Sequence, residues 1–314
     1  MSEAKSALLI VLKGVLMGAA DVVPGVSGGT IAFITGIYER LINALKSLTP
    51  MALLMLCKQG PRVFWQHIDG TFLVLLFAGV LGSIFFLAHL ISHLLLNYPL
   101  QLWGFFFGLI LASIWYVVRE LRPFGTGVLL TFALGIGIAL LVAVAKPVQT
   151  PVNHFTVFLS GMIAICAMIL PGISGSFLLL IMGMYPVYLR AITELDLMVL
   201  GVFIAGCITG LLLFSHVLSF LLSHYKRLTL GLLSGFLAGS LVIVWPWKEV
   251  VSTMVDRHGQ VIPLVQKNIA PWHYQSLVGN EPEVAWVVLL ALIGLLVVIL
   301  VEYGASQLHW QESE

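Results

Sequence analysis

Two stretches of the chain carry almost the same glycine-rich phrase. The first, DVVPGVSGGTIAFITGIY, begins at Asp21, and the second, MILPGISGSFLLLIMGMY, begins at Met168, 147 positions later. Glycine and proline together break a helix, and the serine and threonine residues that follow are typical N-caps of a new one. A helix N-terminus offers free N–H groups and the positive end of the helix dipole, which bind phosphate or carboxylate. The repeated phrase therefore predicts an anion site built from two helix starts.

We expect the anion to contact both phrases and two nearby arginines. Arg40 and Arg190 have the fork geometry that pairs with phosphate, although arginines at helix ends also reach the membrane interface without binding a ligand. Asp21 and Glu39 are the predicted sites for a coupled proton or sodium ion, and a simple helix cap is the alternative for Asp21. The predicted substrate-binding residues are Ser27, Gly28, Gly29, Thr30, Arg40, Ser174, Gly175, Ser176 and Arg190.

The composition places these residues in a membrane. Of 314 residues, 60% are hydrophobic and 9% are charged, and the mean hydropathy is +1.06, whereas soluble proteins carry about a quarter charged residues. The net charge of +1 provides no basic face for nucleic acid. The three cysteines have no ligand spacing, so we predict no metal site and no cofactor. Gly104 and Gly108, like Gly231 and Gly235, are spaced for close helix packing.

The repeat extends along the chain and predicts two membrane units, residues 1–150 and 151–314. Each unit consists of a Gly/Pro-broken re-entrant hairpin and three membrane helices, and full spans are the alternative to re-entrant hairpins. A re-entrant hairpin followed by three crossings inverts the second unit, so the predicted fold class is an all-α polytopic membrane protein with two inverted-topology repeats. The predicted hairpins are 6–45 and 155–192, and the predicted spans are about 71–96, 102–118, 128–145, 197–222, 228–245 and 284–303.

Basic residues in the short connections predict the orientation. The segments RELRPFG and SHYKRL fall on the same predicted side as the N-terminus, whereas NYPL falls on the other side. Because Lys and Arg favour cytoplasmic loops, we expect both termini in the cytoplasm.

The segment GAADVVPGVSGGTIAFITGIYERLINAL, residues 18–45, resembles the signature of the PopT group of polyprenyl-phosphate transporters, a bacterial and archaeal family once classed as a domain of unknown function. The resemblance continues through the second phrase, LPGISGS. It implies a flippase of the bacterial cytoplasmic (inner) membrane that returns undecaprenyl phosphate, a lipid carrier of cell-wall synthesis, from the outer to the cytoplasmic leaflet for recycling. The second phrase has Met168 in place of Asp21 and Val187 in place of Arg40. We therefore expect phosphate binding and ion coupling to depend mainly on the charged residues of the first hairpin.

Three other functions stay open at this point. A transporter of a small soluble anion needs the same fold, and a membrane lipid phosphatase would act on the same lipid. The phosphatase needs a nucleophile with an acid or base partner, and no histidine lies close in sequence to either phrase. A purely structural protein has little reason to duplicate a costly break. We therefore predict a non-enzymatic transporter whose partners are undecaprenyl phosphate, membrane lipid and a proton or sodium ion, and an oligomer is possible.

Overall fold

The chain folds almost entirely into helices. The computed structural model describes residues 3–22, 27–145, 148, 150–255 and 261–311. Its helices are α1 (Glu3–Val22), α2 (Gly28–Ile34), α3 (Tyr38–Ser47), α4 (Pro50–Gln59), α5 (Pro61–His67), α6 (Gly70–Asn97), α7 (Pro99–Glu120), α8 (Thr126–Val144), α9 (His154–Ile169), α10 (Gly175–Ile181), α11 (Tyr185–Thr193), α12 (Leu197–His224), α13 (Lys226–Ser240), α14 (Pro271–Val278) and α15 (Val284–Gln311). Two strands, β1 (Lys248–Val255) and β2 (Val261–Asn268), form an antiparallel hairpin.

Four of the described helices, α6, α7, α8 and α12, are long and apolar enough to cross a membrane. The pair α10 and α11 passes the same test only when the two are taken together, with a bend of 107°, and would then be a fifth span. Helix α9 and the Val284–Leu300 part of α15 are shorter apolar helices. A helix satisfies its own backbone hydrogen bonds, as a lipid environment requires. These elements confirm the predicted class, an all-α multi-pass membrane protein, to which the structure adds one β-hairpin.

Each predicted hairpin contains a second break. Gly36 lies between α2 and α3, and Gly183 lies between α10 and α11. Their φ angles of 71° and 68° fall in the left-handed region, which glycine adopts without steric cost. Residues 30–45 and 177–192, the second parts of the two predicted hairpins, therefore form two short helices each and not one continuous helix.

Other segments also differ from the predicted boundaries. Residues 46–66 form most of α4 and α5, and the Thr49 hydroxyl caps α4 by accepting a hydrogen bond from the Ala52 N–H at 3.2 Å. Helix α13 ends at Ser240, short of the predicted 245, because the chain turns there toward the β-hairpin.

Close helix pairs hold the bundle together. Helix α1 packs on α6 and α9 packs on α12, whereas α7 packs on α15 and α8 packs on α13, so the two predicted units interleave. A Cβ at Gly108 would overlap the carbonyl oxygen of Ala291, and a Cβ at Gly235 would overlap that of Phe132. These glycines have the close-packing role that their spacing predicted.

Candidate functional site

A carboxylate and a hydroxyl accept hydrogen bonds from the N–H groups at the start of α2. Asp21 lies in the last turn of α1, and its Oδ1 accepts a hydrogen bond from the Gly28 N–H at 2.6 Å. Ser27 is the N-cap of α2, and its Oγ accepts one from the Gly29 N–H at 3.1 Å. All seven residues of α2 are buried. The N–H groups predicted to bind an anion therefore hold side chains of the same hairpin, while Pro24 and Gly25 lie outside the described residues.

The two repeated phrases lie against each other. The Ser27 hydroxyl donates to the Met168 carbonyl oxygen at 2.7 Å, and the Gly172 N–H donates to the Thr30 hydroxyl at 2.9 Å. Ser27 and Thr30 are only 2% and 1% exposed. A Cβ at Gly29 would lie 2.9 Å from the Met168 oxygen, so only glycine allows this approach. We call this contact, formed by residues 27–30 and 168–172, the hairpin crossing.

The second hairpin lacks the carboxylate of the first. Ser174 is the N-cap of α10, but its hydroxyl makes no capping bond and instead lies 2.9 Å from the Ser176 hydroxyl. Gly175 packs against the Ala164 carbonyl oxygen. Met168 occupies the position aligned with Asp21. The crossing is therefore chemically asymmetric, with its acidic group in the first hairpin.

The other predicted charged residues form ion pairs elsewhere. Arg40 makes two hydrogen bonds with Asp69, at 2.6 and 3.1 Å, just before α6 begins. Arg190 pairs with Glu194 at 2.8 Å, one turn further along the chain. All four side chains are exposed.

Glu39 likewise has a partner outside the hairpins, since its Oε1 lies 2.7 Å from the Lys226 ammonium. The structure thus brings Asp21 to Gly28 at the start of α2, and gives Glu39, Arg40 and Arg190 other partners. Lys226 and the Arg40 partner were missed because no short-range spacing links them to the phrase.

An apolar cavity adjoins the first hairpin. It has a volume of about 420 Å³ and is lined by side chains of α1, α2, α6, α7 and α15. Among its lining residues, Thr35, Tyr98 and Gln101 carry polar side-chain atoms. Lys13 reaches the same region, because its ammonium donates to the Thr35 carbonyl oxygen at 2.7 Å. No sequence pattern indicates this cavity, since its lining residues are of the types that also face lipid.

The bundle contains broken helices that surround a polar crossing and an apolar cavity. These features are typical of membrane transport proteins built on discontinuous helices. A family model described as undecaprenyl phosphate translocase-like matches residues 17–262, and the chain belongs to this family. This confirms the resemblance seen in the repeated phrase and the prediction that the protein is a transporter rather than an enzyme.

Two curated relatives are similar over most of their length. The polyprenyl-phosphate transporter of Vibrio cholerae is 46% identical over 296 residues, which cover 94% of this chain and 95% of the relative. The polyprenyl-phosphate transporter of Staphylococcus aureus is 33% identical over 254 residues, which cover 75% and 85%, respectively. No solved structure matches the chain significantly.

Proposed function

We propose that this protein moves undecaprenyl phosphate from the outer to the cytoplasmic leaflet of the bacterial cytoplasmic membrane. The names of its family and of its two relatives support this substrate. The observation that carries the proposal is the hairpin crossing, a buried polar contact that lies inside an apolar bundle and beside an apolar cavity. A lipid phosphate needs polar contacts for its phosphate head and apolar surroundings for its isoprenoid chain.

The phosphate head is proposed to bind at the hairpin crossing. Backbone N–H groups that hold a carboxylate also hold a phosphate oxygen, because both are charged acceptors of similar geometry. Asp21 now occupies the N–H of Gly28, so phosphate binding in this proposal displaces the carboxylate. The hydroxyl groups of Ser27, Thr30, Ser174 and Ser176 and the N–H groups of Gly29 and Gly175 complete the proposed phosphate site.

In this proposal, Arg40 and Arg190 bind the phosphate after their ion pairs with Asp69 and Glu194 open. Both pairs are exposed, and exposed ion pairs contribute about 0–1 kcal/mol, so exchange of a carboxylate for a phosphate costs little. A motion that brings α3 and α11 toward the crossing would deliver the two guanidinium groups.

The transport cycle is proposed to be alternating access with a coupled cation. The two units act as inverted repeats that rock against each other, with both termini in the cytoplasm. Moving one negative charge toward a negative interior costs about 2.3 kcal/mol per 100 mV, which a proton or sodium ion carried on Asp21 or Glu39 would offset.

A transporter of a small soluble anion is the second candidate. It would use the same crossing, but its path would need polar groups along its length. The apolar lining of the cavity favours a lipid substrate over a hydrated anion.

The test is leaflet exchange in liposomes that contain the purified protein. We expect undecaprenyl phosphate to exchange between leaflets faster than in protein-free liposomes. Undecaprenol should exchange no faster with the protein than without it, and the liposomes should take up no soluble phosphate. At least one of Asp21→Asn and Glu39→Gln should remove the dependence of the rate on a proton or sodium gradient, whereas Glu281→Gln, in an exposed loop, should keep it. If both Asp21→Asn and Glu39→Gln kept that dependence, the proposed coupling would be wrong. Uptake of soluble phosphate without lipid exchange would select the second candidate.

A further inference from the structure

Helices α4 and α5 form a peripheral pair that is too short to cross a membrane. They have 10 and 7 residues, which correspond to ~15 and ~10 Å at 1.5 Å per residue, whereas the hydrocarbon core is ~30 Å thick. Gly60 separates the two helices with a φ angle of 88°, and each helix begins with a proline. The helices pack on each other, and α5 also packs on α6.

Trp65 fixes the position of this pair relative to the first long membrane helix. Its indole N–H donates to the Thr71 hydroxyl at 2.9 Å, and a Cβ at Gly70 would lie 2.5 Å from its ring. Gly70 and Thr71 are the first two residues of α6, whose segment Gly70–Leu87 is long and apolar enough to span a membrane. Because the span begins where Trp65 packs, α5 lies at the end of the span, the level at which tryptophan is enriched in membrane proteins.

Several apolar side chains of the pair are exposed. Met51 and Leu54 of α4 are 69% and 52% exposed, and Val63 of α5 is exposed as well. None of the seven residues of α5, all of which the structure describes, is buried. Met51, Leu54 and Lys58 follow at spacings of three and four residues, so they share one face of α4. This exposed face is apolar over most of its length and cationic at its end.

The charged side chains of the pair are all basic. Lys58 lies in the last turn of α4 and Arg62 in the first turn of α5, and the sequence contains no Asp or Glu between Arg40 and Asp69. Both basic side chains are exposed, and neither forms an ion pair or a side-chain hydrogen bond with the residues that the structure describes. Such side chains at a membrane boundary complement the negative surface of anionic lipids.

We propose that α4 and α5 form an interfacial anchor that binds anionic phospholipid. The exposed apolar side chains lie among the acyl chains next to the headgroups, as in other helices that rest in the interface. The Lys58 ammonium and the Arg62 guanidinium donate charge-assisted hydrogen bonds to lipid phosphate groups. Since α3 ends at Ser47, three residues before α4, the anchor also ties the first hairpin to the membrane surface. This inference goes beyond the proposed function and does not depend on the transported substrate.

The test uses Cys57, an exposed cysteine of α4, to carry a fluorophore in the full chain reconstituted in liposomes. Cys166→Ser and Cys207→Ser restrict the labelling to this site. Nitroxide lipids quench the fluorophore on contact. A nitroxide near the headgroup should quench more than one near the end of the acyl chain. Phosphatidylglycerol with the nitroxide near its headgroup should quench at a mole fraction about twenty-fivefold lower than the matching phosphatidylcholine, because each basic side chain contributes a factor of about five.

Charge variants separate the two basic residues. Lys58→Gln and Arg62→Gln should each reduce the preference for phosphatidylglycerol about fivefold, and the double variant should abolish it. Lys267→Gln is the matched control, because it removes an exposed basic side chain from β2 and should leave the preference unchanged.

Four results would overturn the inference. Absence of quenching by either lipid would place α4 in water, and equal quenching by the two lipids would show that the anchor does not select anionic lipid. Stronger quenching by the nitroxide at the end of the acyl chain would place α4 in the hydrocarbon core. Energy transfer between labelled copies, without quenching by lipid, would make a second copy of the chain the occupant. The lipid comparison keeps Lys58 and Arg62, so it decides even if the charge variants fail to fold.

Discussion

Within the part of the chain that the structure describes, two hydrogen bonds join the hairpins, and Thr30→Val removes one of them. The Thr30 hydroxyl accepts from the buried Gly172 N–H at 2.9 Å, and valine has nearly the same shape but no acceptor. An unsatisfied buried N–H costs about 1–3 kcal/mol, and we expect the free energy of unfolding to fall by that amount. Unfolding of the purified protein by SDS in mixed micelles, followed by circular dichroism, measures it.

Ser27→Ala removes the second bond, the one to the Met168 carbonyl oxygen. Because both bonds join the same two segments, the double variant should deviate from additivity by about 0.5 kcal/mol or more. Thr131→Val is the matched control, since that hydroxyl donates to the Val128 oxygen of its own helix and should change the free energy of unfolding by less than about 0.5 kcal/mol. If Thr30→Val matched Thr131→Val and the double variant were additive, the crossing would not hold the hairpins together.

Three further outcomes are expected. Gly108→Ala should lower the free energy of unfolding by about 1–3 kcal/mol, because the added methyl group overlaps the Ala291 carbonyl. Gly137→Ala is the control, because a Cβ there meets open space and should not lower the free energy of unfolding by that amount. Thermal unfolding in detergent compares the two variants. The Lys248 ammonium lies over the Trp103 ring, and burial lowers the pKa of Lys248 to about 7 from its usual 10.5. The unfolded chain then binds more protons between these pH values, so stability should be lower below pH 7 and rise from about 7 to 10.5, and Lys248→Met should flatten this rise in a pH series of melting curves. Arg40→Ala should change the free energy of unfolding by no more than about 1 kcal/mol, yet lower undecaprenyl phosphate exchange at least tenfold; an unchanged rate would remove Arg40 from the phosphate site.

The sequence predicted the breaks and the class of fold well because both depend on local chemistry. An apolar segment in lipid must satisfy its own backbone hydrogen bonds, which favours a helix. A proline next to a glycine interrupts such a helix. The position of Ser27 as an N-cap followed from the same rules, and it is the N-cap of α2 in the structure. The second break at Gly36 was missed because a single glycine inside an apolar run often continues a helix.

Contacts between distant segments could not be predicted. The bond from Ser27 to Met168 joins residues 141 positions apart, and its partner is a backbone oxygen that any residue carries. The pairing of Arg40 with Asp69 depends on where α6 begins, after α4 and α5.

Photo-crosslinking tests whether the first hairpin binds the phosphate of a polyprenyl lipid. A polyprenyl phosphate with a photoreactive group beside its phosphate would be crosslinked to the protein in liposomes, and the modified peptides identified by mass spectrometry. We predict crosslinks in α1 and α2 that excess undecaprenyl phosphate suppresses and excess undecaprenol does not. Crosslinks spread over the exposed faces of helices such as α8, or crosslinks that undecaprenyl phosphate fails to suppress, would contradict it.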